Sequence, residues 1–70
     1  MNSNEMKAAM KRNGDTQEKL AEALGLHISG ICGRVNGHID FRASEIGKIV
    51  KRYNLSPEET ERIFFEGDAS

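Results

Sequence analysis

Seventy residues with 37% hydrophobic and 30% charged side chains suit a small folded globule rather than a disordered chain. A domain of this size buries roughly 60% of the surface its unfolded chain exposes, so its core is small. The single cysteine, Cys32, excludes an internal disulfide and a cysteine zinc cluster and fits a reducing, cytoplasmic setting; the apolar runs are too short to span a membrane, and nothing resembles a signal peptide.

The net charge of −1 is unevenly spread. Residues 1–54 carry nine Lys/Arg against six Asp/Glu, giving +3, whereas residues 55–70 carry one Arg against five acids, giving −4. A basic body is compatible with a polyanionic partner, and equally with an ordinary solvated surface.

Apolar residues recur at three- and four-residue spacings and never alternate with period two, which predicts an all-α chain. Asn2, with Glu5 three residues on, caps a first helix whose stripe is Met6, Ala9 and Met10, and Gly14 ends it. Thr16 caps a second helix with Leu20, Ala21 and Leu24 inward and Gly25 at its end. Ile28, Ile31 and Val35 give a third helix its buried face, and Asn36-Gly37 stops it. A loop anchored by Phe41 leads to a fourth helix, Ala43 to about Asn54, burying Ile46, Ile49, Val50 and Tyr53. Ser56, Pro57 and Glu59 together start a fifth helix that runs to about Phe65; Gly67 to Ser70 reads as a frayed tail.

No catalytic or metal-binding constellation is present in the sequence. His27 and His38 lack carboxylate or cysteine partners at motif spacing, Ser29 lies in no nucleophile elbow, and no glycine-rich loop follows a strand. The reading is therefore not an enzyme, with no metal, cofactor or small-molecule substrate. Cys32 reads as a small thiol at a packed or half-buried helix position.

The pattern that stands out is a short helix with Ala21 at its centre, a turn containing Gly25, and a second helix, which is helix-turn-helix spacing. The segments TQEKLAEALGL, GRVNG, DFRASEIGKIV and NLSPEETERIFF resemble the Cro-like (XRE) helix-turn-helix domains of phage and prophage repressors, over about residues 4–65. The resemblance implies a five-helix, lambda-repressor-like fold with the motif at helices 2–3, occupying residues 1–67 as one domain with 68–70 as a short tail. It implies operator DNA, double-stranded, as partner, and a homodimer. On matching positions, Thr16 and Gln17 would touch phosphate, Ile28, Ser29, Cys32 and Gly33 would face the major groove, and Asn36, Gly37, His38 and Arg42 would grip the backbone.

A helical wheel of about 100° per residue supports part of this. Ile28, Ile31 and Val35 cluster, while Ser29, Gly33 and Asn36 fall on the opposite side, flanked by Cys32. Arg34 falls to one side, within reach of a phosphate; Ser44 and Arg42 lie at a helix start, where free N–H groups favour anions. Gly30 and Gly33 together cost the helix nearly ~2 kcal/mol in propensity. A bare face approaching a groove would explain that cost, and so would a helix held only by Ile31 and Val35. Ile63, Phe64 and Phe65 cannot all face one core, which makes them candidates for a dimer interface. The alternative function is a helix-turn-helix fold whose DNA face has weakened and which binds a protein partner.

Overall fold

The computed structural model describes residues 1–65 and contains, among them, five α-helices and no strand: α1 (Ser3–Arg12), α2 (Gln17–Leu24), α3 (Ile28–Val35), α4 (Ala43–Tyr53) and α5 (Pro57–Phe64). The domain limit at 67 and the tail 68–70 lie outside the described residues.

The helix starts follow from local chemistry. Asn2 Oδ1 accepts the Glu5 N–H at 3.2 Å, and Thr16 Oγ1 accepts the Lys19 N–H at 3.1 Å. Ser56 and Glu59 form a reciprocal capping box, each side chain accepting the other's backbone N–H at 3.1 Å. These bonds hold the Glu59 carboxyl below its ordinary range. Between α2 and α3, Gly25 adopts φ +69°, and the N–H groups of Gly25 and Leu26 close on the carbonyls of Glu22 and Ala21. That left-handed turn is what a glycine stop provides without a Cβ penalty. It leaves three residues to reverse the chain, so α2 and α3 pack on each other.

Met6, Leu20, Ile31, Val35, Ile49 and Ile63 are fully enclosed and form the centre of the core. Phe41 folds over it and meets Phe64 edge-to-face with ring centroids 5.7 Å apart. The start of α1 is tied to both α3 and α5. Its Ser3 hydroxyl donates to the Val35 carbonyl at 2.6 Å, and the Asn2 N–H donates to the Ile63 carbonyl at 2.7 Å.

Three burial expectations need correction. Ile46 and Val50 are only half-buried at the margin of the core, because Ile49 and Tyr53 take the inward positions of α4. Leu55, just beyond α4, fills the place instead. Ile28, expected on the buried face of α3, is 39% exposed because it opens the helix beyond the reach of the core.

A polar tie joins the α1–α2 corner to the end of α4. Arg52 reaches Asp15 with two nitrogens at 2.8 and 3.0 Å, and the Tyr53 hydroxyl donates to the same carboxylate. The Arg52 hydrogen bonds are the main reason that Asp15 titrates at about 2; burial opposes them, and Tyr53 and the Thr16 backbone add to them. Burial, then the Asp15 carboxylate, pushes the Tyr53 hydroxyl upward.

Candidate nucleic-acid interface

The outward side of α3 begins at His27. Its Nδ1 accepts the Ser29 N–H at 3.3 Å and lies 2.9 Å from Ser29 Oγ, so the imidazole caps the helix. Nδ1 as acceptor places the neutral ring's proton on Nε2, which makes His27 a donor toward solvent. Ser29 is exposed as expected. Cys32 is also exposed, contrary to the packed or half-buried position expected of it.

Gly33 departs from the wheel. A Cβ there would lie 2.8 Å from Ile39 Cδ1, so the face expected to be bare is occupied by a side chain returning from the following loop. The wheel treats a helix in isolation and has no means of seeing this.

Arg34 is the clearest correction among the expected phosphate contacts. Its Nε and Nη2 donate to the Glu45 carboxylate at 3.0 and 3.4 Å, and its Nη1 donates to the Gly30 carbonyl at 3.1 Å. Only 11% of the side chain is exposed, so the guanidinium is spent inside the protein. Gly30 has its explanation here. A Cβ at residue 30 would stand 3.2 Å from Arg34 Nη1, and its absence leaves room for the guanidinium to lie against the helix. Burial raises the Glu45 carboxyl, but the Arg42 N–H and the Arg34 guanidinium outweigh it and hold the group below its usual range. Glu45, a buried acid that sequence reading passed over, thus joins α3 to the start of α4.

Asn36 turns its amide nitrogen back on α3, donating to the Cys32 carbonyl at 2.9 Å and toward Cys32 Sγ at 3.6 Å. Both amide hydrogens then have partners, which leaves little for a phosphate. His38 and Ser44 are exposed, Thr16 caps α2 with its hydroxyl, and Gln17 is half-buried at the first position of α2. Arg42 stands at the N-cap of α4, exposed, with no capping hydrogen bond from its side chain. Its backbone N–H donates to Glu45 at 2.9 Å, leaving the guanidinium outside.

The dimer candidates separate. Ile63 and Phe64 are core residues, occupied within the protein, whereas Phe65 is 53% exposed. Phe65 borders an open, mostly apolar groove with Val50, Leu55 and Pro57.

Among the described residues, no helix is long and apolar enough to cross a membrane. No curated protein and no solved structure matches the chain. A family profile described as helix-turn-helix matches residues 6–59, a span that takes in the capped start of α2, the Gly25 turn, α3 and the Glu45-anchored start of α4. With that match covering most of its length, the chain belongs to the Cro/XRE-like helix-turn-helix family, an all-helical, lambda-repressor-like group of DNA-binding regulators.

Proposed function

We propose that this protein is a transcriptional repressor of the phage or prophage Cro-like kind, binding double-stranded operator DNA as a homodimer with α3 in the major groove. One observation carries the reading: the outward side of α3 holds exposed Ser29 and Cys32 with no acid in the helix, and Arg42, exposed at the start of α4, makes no side-chain ion pair among the described residues. The first-turn N–H groups of α2, beside Thr16 and Gln17, and the loop residue His38 complete a backbone grip around that face. In this reading Arg34 and Asn36 hold the recognition helix in place rather than touching phosphate.

Duplex binding across a salt series tests it. Ser29→Glu places a carboxylate in the first turn of α3, where the helix dipole favours it. The variant is expected to fold as well as the parent and to lose at least ~10-fold in DNA affinity, from like-charge repulsion in the groove. Arg42→Ala is expected to weaken binding to all duplexes alike and to lower the salt slope by about one. Unchanged binding by folded Ser29→Glu would instead favour the protein-interaction module, for which exposed Ile28 and Ile39 are the support.

The homodimer rests on Phe65. Sedimentation at high concentration should show a dimer for the parent and a monomer for Phe65→Ser, with little change in melting because the ring is more than half exposed. A monomeric parent under those conditions removes the homodimer.

A further inference from the structure

The meeting of Gly33 and Ile39 is closer than ordinary packing. A Cβ at residue 33 would lie 2.8 Å from Ile39 Cδ1 and 3.3 Å from its Cγ1, so the tip of Ile39 occupies the space in which a side chain of residue 33 would begin. The loop is fixed in that position. The N–H groups of His38 and Ile39 both donate to the Gly33 carbonyl, at 2.8 and 3.2 Å, and Gly37 makes the reversal at φ +85°. Ile39 nevertheless remains 45% exposed. A β-branched side chain is stiff at χ1 and loses little freedom on contact, so Ile39 is a fixed apolar knob set on the outward side of α3.

The geometry points to Ile39 as a base-reading residue: it stands in for the missing side chain of Gly33 and makes apolar contact with a thymine methyl in the major groove. This rests on the reading that α3 enters that groove. The C5-methyl of thymine is the apolar feature of the major-groove edge, and an aliphatic side chain recognises it by excluding water. The glycine and the exposed isoleucine then have one explanation. Residue 33 is bare so that residue 39 can lie on it, and Ile39 is left in water because its contact is made on DNA.

The test uses the full chain and a duplex selected by the parent protein from random sequences. Each thymine is replaced in turn by uracil, which removes only the methyl. At one position per half-site the parent should bind the uracil duplex about fourfold more weakly, the size expected for one buried methyl. Ile39→Ala should bind the thymine duplex about as weakly and make no distinction between thymine and uracil there, while its binding to random duplex changes less than about twofold. Gly33→Ala pushes the same tip aside without removing it, raises helix propensity, and should show the same loss of preference. A parent indifferent to every uracil replacement overturns the assignment, as does an Ile39→Ala variant that keeps the preference or weakens on random duplex equally. A parent with no salt-dependent duplex binding at all fails earlier, at the proposed function, and takes this inference with it.

Discussion

Glu45→Ala is expected to destabilise the domain by about 3 kcal/mol or more, the cost of removing one partner from a buried ion pair. The variant leaves Arg34 enclosed, with the Gly30 carbonyl as its remaining partner, and removes the acceptor of the Arg42 N–H. Domains of this size have roughly 0.05–0.15 kcal/mol of stability per residue, so the loss is a large share of the whole. Thermal melting by circular dichroism should fall by more than about 10 °C. Replacing both partners by apolar residues, Arg34→Met with Glu45→Leu, should recover most of the loss, because the uncompensated charge is gone. A melting point for Glu45→Ala within a few degrees of the parent would show that the pair behaves as a solvated surface bridge.

Acid should weaken the Asp15 tie in a defined window. The folded carboxyl titrates at about 2 against an ordinary value of 3.8. A depressed folded value means that the unfolded chain takes up the proton first. The stabilisation is therefore complete above about pH 4 and is lost as pH falls toward 2. The shift corresponds to about 2 kcal/mol, reduced to ~1–2 because Arg52 is partly solvated. Asp15→Asn should melt lower than the parent at pH 7 and show a smaller fall between pH 4 and pH 2. Parallel curves for the two proteins across that window would place the acid sensitivity elsewhere, with Glu45 and Glu59 the next groups to examine, since both are also held below their ordinary range.

Where sequence reading succeeded, the chemistry was local. Asn2, Thr16 and Ser56 each cap the helix that follows through a bond to a residue three positions on, and Gly25 turns the chain by its own dihedral angle. The period of Met6, Ala9 and Met10, or of Leu20, Ala21 and Leu24, marks a buried stripe without reference to what covers it. The candidate site was less legible because its arrangement depends on residues from outside α3. Arg34 is drawn from solvent by Glu45, eleven residues on. Gly33 is covered by Ile39, from a loop with no periodicity to read. Asp15 gains its partners Arg52 and Tyr53 only across the fold, from residues 37 and 38 positions away. Ile63 and Phe64 looked surplus to a short helix, yet Phe41 and α1 give both of them an interior.

The bond from the Asn2 N–H to the Ile63 carbonyl brings nearly opposite ends of the described chain together. The α2–α3 hairpin, by contrast, closes over three residues. Loop-closure entropy grows only logarithmically with length, about 0.6 kcal/mol per doubling, so the long closure is not prohibitively dear once the middle has condensed. Its effect is on cooperativity. The start of α1 is held both by the carbonyl of Val35, at the end of α3, and by that of Ile63 in α5, so the hairpin and the two ends share one enclosure. Opening the ends uncovers Met6 and with it the floor on which α3 rests. The helix that faces outward is thus not a separable piece of structure; it persists as long as the two ends of the chain remain joined, and the domain gains or loses it in a single all-or-none transition.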